Sequence, residues 1–284
     1  MAFRRCIAVP TRRCVHYWYS TPTMKTISSR DNPLYKELKH LAFSSQVRRK
    51  AGRTLLDGVH LCETYLQHVG MPLQCVVGES VRYHPEVAAL LTRCDGGSNS
   101  CVLLPDALYK AISQVENGID ILFVIDTPRV PEEPVLLRDA VLLDNLQDPG
   151  NLGSILRSAA AAGIGEIFCS PGTAFAWSPK VLRAGMGAHF LLAIHENVDL
   201  AALVRAAKVS VLATSSHTKE TLYQQQLKQP VAWLFGHEGQ GVADELMALA
   251  THRIAIPHLG AVESLNVAAS AAVCFFEQVR QRLN

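Results

Sequence analysis

The stretch AVLLDNLQDPGNLGSILRSAAAAGIGEIFC, residues 140–169, decides the class of fold. Ala140–Leu143 is an apolar run of strand length, and Pro149-Gly150 turns the chain after it. A helix is predicted over 152–162, followed by a second apolar strand at Glu166–Cys169. Strands that are apolar on both faces need cover on both, so strand, helix and strand in this order predict a parallel sheet between helices. The alternation continues outward. Strands are expected at 209–213, Val231–Phe235 and 253–256, with helices at 200–207 and 265–283.

Upstream, residues 25–126 read as a smaller α/β unit. Helices are expected at 33–47, 60–68 and 105–112, and strands at 54–56, 73–77, Cys101–Leu104 and 119–125. Pro128, Pro131 and Pro134 interrupt the chain between the two units, where fixed φ and missing donors stop helix and sheet alike. The expected division is an extension over 1–23, a first domain at 24–126, a linker at 127–136 and a second domain at 137–284.

Composition narrows the function classes. An apolar fraction of 49% argues against disorder, and no apolar run approaches the ~18 residues of a bilayer span. The eight cysteines form no C-x-x-C pair and read as reduced, small hydrophobes. The eleven histidines show no metal-ligand spacing, so no metal is expected. The net charge of +2 hides an asymmetry. Between Lys25 and Arg53 stand eight cations and only two acids, Asp31 and Glu37. Clustered cations of this kind attract a phosphate backbone, so Arg30, Lys39, Arg48, Arg49, Lys50 and Arg53 are candidate RNA contacts. Residues 1–23 carry Arg4, Arg5, Arg12 and Arg13 with no acid, and are expected to be disordered. They read either as a mitochondrial transit peptide or, the preferred reading, as an over-long start before Met24. The expected location is accordingly cytoplasmic, with the mitochondrial matrix as the alternative.

Three loops at strand ends carry the chemistry. In the first, Asn151 is placed to cap the helix, and Gly153 costs roughly 1 kcal/mol relative to Ala inside it. Gly153 stands one turn before Arg157, a side-chain-free spot that suits close approach by a ligand. The second, Leu234-Phe235-Gly236-His237-Glu238-Gly239-Gln240-Gly241, puts three glycines and a carboxylate after an apolar strand. The third, Ile254-Ala255-Ile256-Pro257-His258-Leu259-Gly260-Ala261-Val262-Glu263-Ser264-Leu265-Asn266-Val267, offers Ser264 as cap of the last helix, with Asn266 in its first turn. Capping by Ser264 leaves the polar Asn266, set between Leu265 and Val267, without a role. Neither G-x-G-x-x-G nor G-x-x-x-x-G-K-[ST] occurs, which disfavours a nucleotide-binding oxidoreductase.

Taken together, the three loops resemble the SpoU (TrmH) family of RNA 2′-O-ribose methyltransferases in the SPOUT superfamily. The shared patterns are N-x-G-x-x-x-R-[ST], F-G-x-E-x-x-G and I-P-x-x-G-x-x-E-S-L-N-V. Residues 178–188 look like the family's intermediate loop. Residues 27–33, together with 48–58, look like its ribosomal-protein-like substrate domain. Asp57, where the family often has Glu, and Ala268, where it often has Ser or Thr, depart from the pattern.

The resemblance implies an α/β catalytic domain with a deep C-terminal trefoil knot, a bound S-adenosylmethionine, a homodimer and a structured RNA as substrate. The separate first domain points to ribosomal RNA. Methylation of tRNA and a non-catalytic role in ribosome assembly are the alternatives. By resemblance, Asn151, Arg157, Glu238, Ser264 and Asn266 are catalytic. Thr214, Gly236, His237, Gly241, Ile256, Leu259, Leu265 and Asn266 would hold the cofactor. An arginine acting as general base would have to be neutralised about six pKa units below its ordinary value, roughly 8 kcal/mol, so Arg157 is assigned to stabilising negative charge on the 2′-oxygen.

Overall fold

The structure, a computed structural model, describes residues 24–94, 101–128 and 135–283. The expected extension over 1–23 and most of the proline stretch lie outside the described residues.

The first lobe is built from β1 (Lys25–Thr26), α1 (Pro33–Phe43), α2 (Ser45–Ala51), β2 (Arg53–Asp57), α3 (Val59–His68), β3 (Gln74–Gly78), α4 (Pro85–Cys94), β4 (Cys101–Leu104), α5 (Asp106–Lys110) and β5 (Ile121–Asp126). Its five-stranded sheet has the order β1-β4-β3-β5-β2, with β5 antiparallel to both neighbours. The single helix expected over 33–47 is two. Ser44 leaves helical geometry at φ −114°, ψ 111°, and its hydroxyl accepts from Val47 N at 3.2 Å, so it ends α1 and caps α2.

The second lobe contains β6 (Ala140–Leu143), α6 (Pro149–Ala161), β7 (Glu166–Cys169), α7 (Pro179–Gly185), β8 (Ala193–His195), α8 (Leu200–Arg205), β9 (Ser210–Thr214), β10 (Val231–Phe235), α9 (Asp244–Leu249), β11 (His252–Ile254) and α10 (Val267–Leu283). Its six strands run β11-β9-β10-β6-β7-β8, every pair parallel, as the apolar strands require. Residues 179–185, read as part of a loop, form α7, opened by Ser178, whose hydroxyl accepts from Val181 N at 3.4 Å.

Gly153 has a different role from the one expected. A Cβ there would lie 2.4 Å from Ala184 Cβ and 2.7 Å from Val181 O, so the glycine lets α6 and α7 cross at close range and makes no room for a ligand.

One apolar cluster runs through both lobes, from Leu56, Cys75 and Phe123 to Val141, Trp233 and Phe275. The six described cysteines are all buried. No described helix is long and apolar enough to cross a membrane. Among the described residues no group of three or more His, Cys, Asp or Glu is arranged to hold a metal ion.

Candidate active site

Parallel strands present their carboxyl ends to one side of a sheet, and the loops there form the natural crevice. Here β9, β10 and β11 end at Thr214, Phe235 and Ile254, and the loops beyond them enclose a cavity of about 1340 Å³. Thr214, Gly236, His237, Gly241, Ile256, Leu265 and Asn266 line it, together with Asn151, Glu238 and Ser264. Leu259, expected among the cofactor contacts, does not. It is fully exposed and absent from the lining. Ser215, Ser216, His217 and Glu263 also line the cavity, and the signal for the first three was their place directly after a strand end.

Three residues from three loops meet at its rim. Asn151 Nδ2 donates to Glu238 Oε1 at 3.1 Å, and Asn266 Nδ2 donates to Asn151 Oδ1 at 2.9 Å. Each side chain is free for this because a neighbour or a second atom does the capping. Asp148 caps α6, its carboxylate accepting from Asn151 N at 2.7 Å, so Asn151 lies inside the first turn and is not the cap. At the other helix Asn266 is the cap, since its Oδ1 accepts from Ala268 N at 2.9 Å and Ala269 N at 3.3 Å. Ser264 sits exposed in the loop before it.

Glu238 is the hub. Its carboxylate also accepts from Asp148 N at 3.0 Å and Gln147 N at 3.3 Å. Burial pushes its pKa up, but the donors from Asn151 and the backbone outweigh that and hold it below the usual carboxylate range, so it stays ionised.

The glycine loop is a built turn. His237 and Gly241 exchange backbone hydrogen bonds at 3.0 and 2.8 Å, and His237 Nδ1 accepts from Gly239 N at 2.9 Å. A Cβ on Gly236 would stand 2.1 Å from the Gly241 carbonyl carbon, so no larger residue closes this turn.

Arg157 stands apart. It is exposed on α6, outside the lining of the cavity, and no hydrogen bond or ion pair holds it among the described residues.

The candidate RNA contacts divide. Arg48 is 6% exposed, and its guanidinium donates to Leu41 O at 2.6 Å and Ala42 O at 3.1 Å, so it closes the end of α1 and presents no charge to a phosphate. Arg53 is paired with Glu37 at 3.0 Å and Asp126 at 3.5 Å. Arg49 lies over the Phe175 ring, 4.3 Å from its centroid. Arg30, Lys39 and Lys50 are exposed without an ion pair among the described residues.

The SpoU rRNA Methylase family matches residues 139–276. An uncharacterized tRNA/rRNA methyltransferase of Synechocystis is 34% identical over 268 residues, 92% of this chain and 96% of its own. The chain belongs to the SpoU rRNA methylase family. A second relative, the 23S rRNA (guanosine(2553)-2′-O)-methyltransferase of Bacillus subtilis, is 29% identical over 89% of this chain and 98% of its own. The crystal structure of an AdoMet-bound rRNA methyltransferase from Sinorhizobium meliloti superposes with a TM-score of 0.80 at 26% identity, over 92% of this chain and 99% of its own. The SpoU membership and the enzyme class expected from the three loops therefore stand.

Proposed function

We propose that the protein transfers the methyl group of S-adenosylmethionine to a ribose 2′-hydroxyl of ribosomal RNA. The observation that carries this reading is the Asn151–Glu238–Asn266 junction, which ties the three loops together at the rim of one cavity. The lining suits the cofactor: Val242, Met247, Ile256 and Leu265 offer an apolar wall to a purine, and Thr214, Ser216, Glu238 and Ser264 offer acceptors to ribose and amine groups. When bound, S-adenosylmethionine supplies an activated methyl group on a sulfonium, a good leaving group.

The chain's own work is then alignment and charge. Glu238, Asn151 and Asn266 fix the loops, so the acceptor oxygen is held in line instead of finding its orientation by diffusion. The unpaired Arg157 guanidinium stabilises negative charge as the 2′-hydroxyl loses its proton. Because Arg157 does not line the cavity of its own chain, we read the active enzyme as a homodimer in which it serves the second copy's cavity. The small residues Ala268, Ala269, Ser270 and Ala272 of α10 leave room for close packing of two copies.

We also read the C-terminal segment as threaded into a trefoil knot. Ala255 N donates to Glu220 O and Leu222 N donates to Ala255 O, both at 2.8 Å, so the chain leaving β11 runs against the segment between β9 and β10. A cytoplasmic enzyme is the reading kept here, with the matrix as the location that residues 1–23 would specify if they act as a transit peptide.

Single-turnover methylation at saturating RNA tests the assignment. Arg157→Ala retains S-adenosylmethionine binding by isothermal titration and loses on the order of 100-fold in rate, the size expected for one lost charge-stabilising donor. A near-normal rate would contradict it.

A further inference from the structure

Residues 173–177 follow β7 and belong to none of the three loops, yet each of them is anchored. Thr173 Oγ1 donates to Leu143 O at 3.2 Å, and Ala174 N donates to Leu146 O at 2.8 Å. Those two bonds grip the loop whose next residues, Gln147 and Asp148, donate to Glu238. On the other side the same segment meets the first lobe. Trp177 O accepts from the buried Thr54 Oγ1 at 2.7 Å, and the Arg49 guanidinium covers the Phe175 ring. Between them Ala176 is held at both ends: its N–H donates to Glu196 Oε1 at 3.0 Å and its carbonyl accepts from His189 Nε2 at 2.9 Å. Burial keeps His189 neutral, with its pKa pushed down to about 4, so Nε2 carries the proton. Burial also pushes the Glu196 carboxyl up, opposed by the Ala176 N–H and by the nearby Arg49.

Five consecutive residues thus join the lobe that bears the free cations to the loop that bears Asn151. We propose that this segment is the link through which the first lobe sets the geometry of the Asn151–Glu238–Asn266 junction, with Arg49 and Thr54 as positioning residues. The proposal rests on the methyltransferase reading above. It gives Arg49 a role other than the phosphate contact expected from its charge: the guanidinium face is spent on an aromatic ring, where a cation is attracted to the π cloud.

The test compares Arg49→Ala, Phe175→Leu, their double variant and Phe175→Tyr in the full chain. Single-turnover rates are read at saturating RNA and S-adenosylmethionine, beside dissociation constants for both. Each single variant lowers the rate about 10-fold, within the range that such coupled contacts reach, while both dissociation constants stay within about 2-fold. The double variant falls no further, and Phe175→Tyr, which keeps the ring, retains the wild-type rate. A phosphate-contacting Arg49 would instead weaken RNA binding with the saturating rate unchanged, and a merely structural one would lower only the melting temperature; either result overturns the proposal. If the wild type transfers no methyl group at all, the functional reading fails separately. Hydrogen exchange at the Gln147 and Asp148 amides still decides the link, since they exchange faster in Arg49→Ala if it exists and unchanged if it does not.

Discussion

Asn266 shows how much one side chain can carry. Its oxygen caps α10 and its nitrogen holds Asn151, so the start of the longest described helix and the rim of the cavity share a residue. The two duties are separable. Asn266→Asp keeps the capping oxygens and loses the amide donor, whereas Asn266→Ala loses both. The expected result is a melting temperature near wild type for Asn266→Asp and a loss of about 1 kcal/mol for Asn266→Ala, with single-turnover methylation impaired in both. Thermal unfolding and rate measurements on the pair check this. Sequence reasoning named Asn266 but gave the cap to Ser264, because serine is a good capping residue and helix ends are uncertain by one or two positions. Arg48 misled it in the opposite way. A charged side chain in a basic run reads as solvated, and nothing local announces that two carbonyls at the end of α1 will take it.

Among the elements, those with strong apolar periodicity were legible. The four strands β6, β7, β9 and β10 lie within one residue of their expected positions, since each is centred on a buried apolar run of at least three residues. Short or unclaimed pieces were not. β8 has three residues, too few for a period to show. α4 carries Val87, Leu90, Leu91 and Cys94 at i, i+3, i+4 and i+7, a pattern present in the sequence but unread. Gly153 reads from the sequence as a helix cost that an approaching ligand would explain, but its reason lies in α7, 28 to 32 residues further along and invisible from α6 alone. Gly153→Ala forces a Cβ into Ala184 and two backbone atoms, one of them the Val181 carbonyl oxygen, so it destabilises by about 1–3 kcal/mol. Ala184→Gly in the same chain restores only part of that, because the backbone contacts remain. Urea denaturation of the wild type and the two variants decides it, and full rescue would show that Ala184 alone sets the approach.

At the scale of the whole molecule, two sheets share one apolar cluster, so the lobes are packed together and not merely tethered. Charge is uneven within the first lobe. Its cations cluster between Lys25 and Arg53, but only part of that cluster faces solvent unpaired, and the salt dependence of RNA binding follows that part. Lys50→Ala reduces the slope of log K against log salt by about 1, while Arg48→Met leaves the slope unchanged and lowers the melting temperature. A slope reduced by Arg48→Met would return that residue to the RNA interface. The central claim, a SpoU methyltransferase acting on ribosomal RNA, is tested most directly by mapping ribose 2′-O-methylation across total RNA from cells with and without the protein. The predicted result is the loss of methylation at one ribosomal RNA nucleotide, restored by the wild-type chain and not by Arg157→Ala. An unchanged ribosomal RNA profile, or a lost mark confined to transfer RNA, would contradict it.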